Sequence, residues 1–461
     1  MIDTSGVQGG DGLLPGTRRA LLRRVAQGQT EGRTPSMVGA VVRDGHLVWA
    51  AGRGDVGGRE PDADTQYRIG SITKTFLAVL VMRLRDEGLL GLGDRLGQYL
   101  EVPEGAGATI AQLLSHTSGL SAEPRGPWWE RTDGSLRPGL ADLFGERPQR
   151  HPAGRLHHYS NLGFALLGAL VEELRGEHWY EVLRREVLQP LGLERTTLHP
   201  VAPHADGWAV HPWADVLLPE PAADTGRMAP AGQLWSTAAD LGRFAAFLMA
   251  GDDRVLPAAT VEEMRTPLAE PQGADWTGGY GLGVQLVRKD GMILAGHTGT
   301  MPGFVAQLWT DPAEGIASVV LGNLTSLPTA GAVAADLITT VAELEPGLPA
   351  PWRPLQDADP QLLEVTGPWY WGASPFALRL GAGRALSLAP VGGPGRAARF
   401  RPEADGTWTG LDGYYAGETL RVVRTADNAV SHLDIGTFVF TRHPYEPGDA
   451  VPGGVDTGGW R

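Results

Sequence analysis

The chain has 461 residues, of which 42% are hydrophobic and 20% are charged, and it contains no cysteine. This length and composition predict globular domains with sizeable cores, and the lack of cysteine excludes disulfides, zinc–thiolate sites and thiol nucleophiles. The formal net charge of −14 argues against binding to nucleic acid or to an anionic membrane surface.

The N-terminal region predicts a flexible tail followed by a helix. Residues 1–15 lack the basic segment and the apolar core of a signal peptide, and no apolar run is long enough to span a membrane. We therefore expect a cytoplasmic protein. The pattern over Thr17–Gln27 predicts an amphipathic helix, with Thr17 as its N-terminal cap.

Strand patterns lie on both sides of a long central region. Ser36–Gly52 predicts a hairpin that turns at Asp44-Gly45, and a second hairpin is predicted to turn at Asp290-Gly291. Two further strands are predicted within Phe304–Trp309 and Ile316–Leu321. The two ends of this segment are therefore expected to form one sheet.

The central region predicts an all-helical insert with long loops. Four segments have apolar residues at helical spacing and end in glycine, and they are Ser71–Gly88, Thr109–Gly119, Ser160–Gly176 and Ser236–Gly251. The loops at 119–155 and 198–230 exceed about 15 residues, a length that is more often functional than idle.

The C-terminal part of the chain has a different pattern. A proline-rich linker over 346–354 separates a domain at 16–345 from one at 355–461, in which short strands alternate with turns and no helix is evident. This pattern predicts a small all-β barrel or sandwich. Clustered aromatic residues are expected to fill its core, and they are Trp369, Tyr370, Trp371, Phe376, Trp408, Tyr414 and Tyr415.

Lys74 is unusual because it is one of only two lysines, with Lys289, among 39 basic residues. It lies three positions after Ser71, so both side chains share one face of the predicted helix. Serine needs a neighbouring base to become a good nucleophile, and lysine can act as one if its pKa falls from about 10.4 to about 7–8. Arginine cannot, since its pKa stays above about 12. The pair thus predicts a serine nucleophile with a lysine base.

Two downstream motifs extend this pattern. Tyr159-Ser160-Asn161 stands at a helix start, and His297-Thr298-Gly299 stands in a strand. The order S-x-x-K, Y-x-N, H/K-x-G over residues 20–345 resembles the serine β-lactamase and penicillin-binding-protein superfamily, in its class C and serine-hydrolase branch. The resemblance implies an α/β (α+β) fold, in which an antiparallel sheet is flanked by helices and carries the helical insert.

The resemblance also implies catalytic roles. Ser71 would be the acylated nucleophile, Lys74 its activating partner, and Tyr159 the group that moves a proton between Ser71, the leaving group and the incoming nucleophile. His297 stands where many relatives have lysine and would hold Tyr159 or a substrate carboxylate. Asn161 would bind a substrate amide and steady Lys74.

The strand motif has implied roles too. Thr298 and Gly299 are expected to contact substrate, and the backbone N–H of Thr300 would join that of Ser71 in stabilising the oxyanion. His116 is interpreted as loop structure, and a role for His157 and His158 at the rim of the site is considered but not favoured. No metal site and no cofactor are expected, because the histidines lack metal-binding spacing.

Three functions remain open from the sequence. The first is hydrolysis of an ester, amide or peptide through acyl-Ser71. The second is release or cyclisation of a nonribosomal peptide by acyl transfer to an amine, because penicillin-binding-protein-type thioesterases resemble this layout with a lipocalin-like C-terminal barrel. The third is a β-lactam or peptide sensor without turnover. The expected partner is a small molecule or peptide, free or bound to a carrier protein.

Overall fold

A computed structural model describes residues 12–102, 107–133, 139–268, 277–289, 291–348, 351–355, 359–393, 395–446, 448–450 and 452. The chain divides into two compact units, Met1–Leu348 and Pro349–Arg461. The division lies inside the segment at 346–354 that the sequence predicts to be a linker. Residues 1–11 of the predicted tail lie outside the described residues.

An antiparallel sheet forms the centre of the first unit. Its strands in the described part of the chain are β1 (Ser36–Arg43), β2 (His46–Gly54), β7 (Gly278–Tyr280), β8 (Gln285–Lys289), β9 (Met292–Met301), β10 (Phe304–Asp311) and β11 (Ile316–Gly322). They lie in the order β2-β1-β11-β10-β9-β8-β7. β1 pairs with β11 from Met37↔Gly322 to Arg43↔Ile316, so the two ends of the unit meet in one sheet, as predicted.

Both faces of the central strands are buried. On β1, Val38 and Val42 pack into one hydrophobic cluster, whereas Met37 and Val41 pack into another on the opposite face. Successive side chains of a strand point to opposite faces, so a strand buried on both sides needs the continuous apolar run that this sequence has. Helices cover both faces of the sheet.

The helices of the first unit include all four that the glycine-terminated patterns predict. The helices are α1 (Pro15–Glu31), α2 (Ile72–Asp86), α3 (Ile110–Leu114), α4 (Asn161–Arg175), α5 (Trp179–Leu183), α6 (Gln189–Leu191), α7 (Ala229–Gly232), α8 (Ala238–Ala250), α9 (Ala258–Met264) and α10 (Ala330–Leu344). Two short strand pairs complete the unit, and they are β3 (Tyr67–Arg68) with β6 (Trp235–Ser236) and β4 (Trp208–Val210) with β5 (Leu217–Pro219). No helix in the described ranges is long and apolar enough to cross a membrane.

The predicted cap of the first helix is wrong. α1 begins at Pro15, two residues before Thr17, and Thr17 is buried within its first turn. Proline is favoured at this position because its φ is already helical and its missing N–H would have no partner there. The hairpin at Asp44-Gly45 forms as predicted, with positive φ at both turn residues. β8 and β9 flank the second predicted turn, whose Asp290 lies outside the described residues.

The second unit is a closed up-and-down barrel, as the pattern of short strands predicts. Its strands are β12 (Gly367–Trp371), β13 (Ser374–Leu380), β14 (Leu386–Pro390), β15 (Ala398–Pro402), β16 (Trp408–Gly410), β17 (Thr419–Arg424), β18 (Val430–Ile435) and β19 (Phe438–Thr441). Each strand pairs with the next, and β12 pairs with β19 through Tyr370 and Thr441. The closure leaves no free sheet edge.

This unit departs from the predictions in two ways. A short helix is present, and part of the aromatic set is exposed. α11 (Pro360–Val365) precedes β12, with the Asp359 side chain accepting from Gln361 N over 2.9 Å. The aspartate–proline pair is a helix-start signal, but a helix of only six residues is easily overlooked in the sequence. Four of the aromatic residues are buried, and they are Trp369, Phe376, Trp408 and Tyr415. Trp371 and Tyr414 are 40% and 59% exposed, so not all of the set fills the core.

Candidate active site

Ser71 lies at the junction between β3 and α2. Gly70 before it has φ +52°, which turns the chain sharply from the strand into the helix. Ser71 occupies the N-cap position, yet its side chain does not cap the helix. Its Oγ instead accepts a hydrogen bond from Lys74 Nζ over 2.9 Å. The predicted nucleophile and base are therefore in direct contact.

Lys74 is fully buried. Besides Ser71, its ammonium group donates to the carbonyl oxygen of Ala231 over 2.6 Å. Burial lowers the pKa of Lys74 to about 7, while the charges of Glu123 and Glu130 oppose this shift. A neutral amine is thus accessible near physiological pH, as a general base requires.

Tyr159 lies two residues before the start of α4 and faces the same lysine. Lys74 Nζ is 5.0 Å from the centre of the Tyr159 ring. Burial raises the pKa of Tyr159, and a hydrogen bond with the Ser71 side chain opposes the shift. The phenol is therefore neutral and in contact with the serine, in a position to exchange a proton with it.

His297 is buried in β9 and lies between two partners. Its Nδ1 is 2.5 Å from the carbonyl oxygen of Thr298, and its Nε2 is 2.9 Å from the hydroxyl of Tyr280. Burial, with the charge of Lys74, lowers the pKa of His297 to about 3. A carbonyl can only accept, so the neutral ring carries its proton on Nδ1 and Nε2 accepts from Tyr280.

Asn161 is the first residue of α4, and Ser160, not Asn161, caps this helix. The Asn161 side-chain amide donates to Glu123 Oε1 over 2.8 Å, whereas Lys74 donates to Ser71 and Ala231. The expectation that Asn161 steadies Lys74 is therefore not met by these contacts. Its expected contact with a substrate amide stays a prediction.

The strand motif passes very close to the Ser71 turn. A Cβ added to Gly299 would lie 1.9 Å from the carbonyl oxygen of Ile69, and one added to Gly70 would lie 2.5 Å from Thr300 N. β8 pairs with β9 only as far as Gly296, so the backbone of the next residues of β9 is not paired with β8. Thr298 N in this segment donates to the Gln285 side chain, and Thr300 N points the same way.

Comparisons with known proteins bear on the family of each unit. A family model described as Beta-lactamase matches residues 21–343, and one described as a domain of unknown function (DUF7586) matches residues 358–442. Penicillin-binding protein 4 of Amycolatopsis lactamdurans is 31% identical over 64% of this chain and 82% of its own length. The chain spans about half the length of the next two curated relatives, 55% and 56%.

Solved structures match both units. The octameric penicillin-binding protein homologue from Pyrococcus abyssi has a TM-score of 0.60 and 23% identity, over 92% of this chain and 99% of that one. A structure of SurE with D-Leu has a TM-score of 0.58 and 25% identity, over 93% of this chain and all of that one. The chain belongs to the β-lactamase family.

Two residues of this β-lactamase-family site were missed by sequence reasoning. Tyr280 ends β7 and is buried beside His297. His116, predicted to be only loop structure, is fully buried with its ring centre 4.0 Å from that of Tyr159. Its Nδ1 accepts from Ser160 N over 3.0 Å, and its Nε2 is buried with no hydrogen-bond partner among the described residues. His116 has a positive φ of +57°, and no sequence signal reveals this backbone conformation.

The mouth of the site is an open cavity of about 400 Å³, which Tyr159, Tyr280, His157 and Thr298 help to line. His157 therefore lies at the rim, an interpretation that the sequence did not favour, and Thr298 lies on the wall of the same cavity. The His158 ring contacts the carbonyl oxygen of Leu120 over 2.8 Å. Within the described ranges, no group of three His, Asp or Glu side chains is arranged to hold a metal ion.

Proposed function

We propose that this chain is a serine hydrolase that forms an acyl-Ser71 intermediate on an ester, amide or peptide. The hydrogen bond between Lys74 Nζ and Ser71 Oγ, 2.9 Å long and joined to a fully buried lysine, is the observation that carries the proposal. Neutral Lys74 takes the Ser71 proton while Oγ bonds to the substrate carbonyl carbon. The backbone N–H groups of Ser71 and Thr300 stabilise the oxyanion.

In the second half of acylation the carbonyl re-forms and the leaving group departs with a proton. Tyr159 lies against both Ser71 and Lys74 and is neutral, so it can pass the lysine's proton to the leaving group. In deacylation, water or an amine loses its proton to the Tyr159–Lys74 pair as it bonds to the acyl carbon. The pair then returns that proton to Ser71 Oγ as the acyl–Oγ bond breaks. The residues are therefore left as they began.

The acyl residue we propose is D-configured. SurE, whose solved structure contains D-Leu, aligns over nearly the whole of this chain, and its likeness supports this choice. We expect D-leucine methyl ester to acylate the protein faster than its L-enantiomer. Equal rates would remove the stereochemical part of the proposal and leave the acyl-serine chemistry.

A second candidate is acyl transfer to an amine, which releases or cyclises a peptide that a carrier protein delivers. The β-barrel after the catalytic unit favours this alternative, because the thioesterases that the sequence resembles have such a domain. A linear peptide thioester should then give cyclic product in preference to the free acid. Acid as the sole product would favour the hydrolase.

The test of acylation itself uses intact mass. The wild-type protein is incubated with a fluorescent penicillin or a fluorophosphonate, with Ser71→Ala as the matched control. We expect one adduct on wild type and none on the variant. No adduct with any acylating probe would contradict the enzyme proposal, and a lasting adduct without turnover of simple esters would favour a sensor.

A further inference from the structure

Glu123 is an exposed carboxylate that the proposed reaction does not use, and its charge acts on both Lys74 and Tyr159. Its Oε1 accepts from the side-chain amide of Asn161 over 2.8 Å, and its Oε2 accepts from the indole N–H of Trp129 over 2.7 Å. Both donors are uncharged, so they fix the orientation of the carboxylate without cancelling its charge. In the described part of the chain, no cation forms an ion pair with it.

The backbone around Glu123 is tied to the start of α4. Ser160 Oγ donates to the carbonyl oxygen of Ser121, and Asn161 N donates to that of Ala122, both over 2.7 Å. Both bonds are made by the two residues that follow Tyr159, and the charge of Glu123 acts on the pKa of Tyr159 and of Lys74. The position of Glu123 relative to the proton-transfer residues is therefore set by the fold and not by a free side chain.

The charges of the site suit a cation better than an anion. His297 is neutral. In relatives that have lysine at this position, the lysine could bind a substrate carboxylate through its charge. Lys74 is buried and already donates to Ser71 and Ala231. Arg150 lines the same open cavity of about 550 Å³ as Glu123, but its side chain forms no ion pair with Glu123 in the described residues.

We propose that Glu123 binds a primary ammonium group of the substrate beside Ser71, an inference that rests on the acyl-Ser71 function. An ammonium has three hydrogens to donate, and a carboxylate that already accepts two bonds still has free lone pairs. Since Asn161 donates to a carboxylate, its Oδ1 faces away from that bond and is a second acceptor. The ammonium belongs either to the acyl residue or to the amine that will attack the acyl-enzyme. In the second case it first releases one proton to solvent, because only the neutral amine has the lone pair that bonds to the acyl carbon.

The acyl-residue source is tested by protection of Ser71. The rate of fluorophosphonate labelling is measured with D-leucinamide and with N-acetyl-D-leucinamide, which lacks the charge. We expect D-leucinamide to protect wild type at concentrations about 10- to 100-fold lower, the range for a hydrogen bond to a charged group. Glu123→Gln should abolish this ratio and Glu123→Asp should retain part of it. Glu146→Gln, which removes an exposed carboxylate from the same loop, should leave it unchanged.

The attacking-amine source is tested on the acyl-enzyme. N-acetyl-D-leucine methyl ester is supplied with D-leucinamide, and the ratio of dipeptide amide to acid is measured. A lower ratio in Glu123→Gln than in Glu146→Gln assigns the ammonium to the attacking amine. If wild type shows neither a protection ratio nor an aminolysis product, or Glu123→Gln alters neither, the inference is wrong. If Ser71 is still labelled in those samples, only the inference about Glu123 is wrong and the acyl-Ser71 function is supported. If wild type is not labelled at all, both the inference and the proposed function are wrong.

Discussion

Tyr280 donates its hydroxyl hydrogen to His297 Nε2 over 2.9 Å, inside a site where both residues are buried. Together with the bond from Nδ1 to the Thr298 carbonyl, this contact fixes one neutral tautomer of His297. The His297 imidazole near Tyr159 therefore has a fixed orientation and no charge, whereas a lysine at this position would carry a charge. The difference is the physical basis for expecting substrates that do not depend on a carboxylate.

Replacing Tyr280 with phenylalanine tests this tautomer. Tyr280→Phe leaves Nε2 buried without a donor, which should cost about 1–3 kcal/mol in the free energy of unfolding. The ring should keep its proton on Nδ1, because the Thr298 carbonyl remains. Denaturant unfolding measures the first effect and ¹⁵N shifts of the ring measure the second. Unchanged stability, or a proton on Nε2, would contradict this account.

The buried lysine predicts the pH dependence of acylation. Because burial lowers the pKa of Lys74 to about 7, the neutral base should increase about tenfold per pH unit below 7 and level off above it. The pKa of His297, about 3, is too low to cause this inflection. Fluorophosphonate labelling between pH 5 and pH 9 measures it. A flat profile would show that Lys74 is not the base.

Arginine at position 74 separates charge from basicity. Lys74→Arg keeps the positive charge but cannot lose it, since the guanidinium pKa stays above about 12. We expect labelling of Ser71 to be abolished in this variant, and a wild-type labelling rate would contradict the prediction.

The pKa shift of Lys74 also makes the stability of the wild-type protein depend on pH. The pKa of Lys74 is near 10.5 in the unfolded chain and about 7 in the folded protein. Between these values the unfolded chain binds more protons, so this group should make wild type more stable as pH rises.

The sequence predicts most of the fold because its signals are local. The apolar runs of β1 and β11, the turn at Asp44-Gly45 and the glycine at the end of α4 each act through neighbouring residues. Ser71 and Lys74 also lie one helical turn apart, so their contact follows from spacing alone. The predicted cap of α1 is wrong because Thr17 and Pro15 both suit a helix start, and their local preferences do not decide which residue begins the helix.

The supporting residues of the site could not be predicted, because long-range packing places them. Tyr280 reaches His297 only through the register of β7, β8 and β9. Glu123 meets Asn161 through a long loop that folds back on α4, and a single exposed glutamate has no pattern of its own. His116 depends on a left-handed backbone, which is uncommon for a residue other than glycine.

His116 is predicted to position Tyr159. His116→Asn keeps an acceptor for Ser160 N and tolerates positive φ, but it removes the ring that packs against the tyrosine. We expect stability close to wild type and an acylation rate lowered by about 2- to 10-fold, the equivalent of one aromatic contact. His116→Phe keeps a ring and loses the acceptor, so it should mainly lower stability. Equal loss of stability in both variants would mean that His116 is only structural.

A further test of the site concerns the close approach of β9 to the Ser71 turn. A Cβ at Gly299 would lie 1.9 Å from the Ile69 carbonyl oxygen and 3.1 Å from Ser71 N. Both are backbone atoms, so the strand or the turn must move. We expect Gly299→Ala to cost about 1–3 kcal/mol of stability.

It should also lower the acylation rate by about 10²–10³-fold, because Thr300 N would leave the oxyanion position. The matched control is Gly93→Ala in an exposed turn, where an added Cβ would lie in open space. This variant should behave as wild type in denaturant unfolding and in Ser71 labelling. If Gly299→Ala acylates at the wild-type rate, Thr300 N is not an oxyanion donor, because the displacement of the strand would have had no chemical consequence.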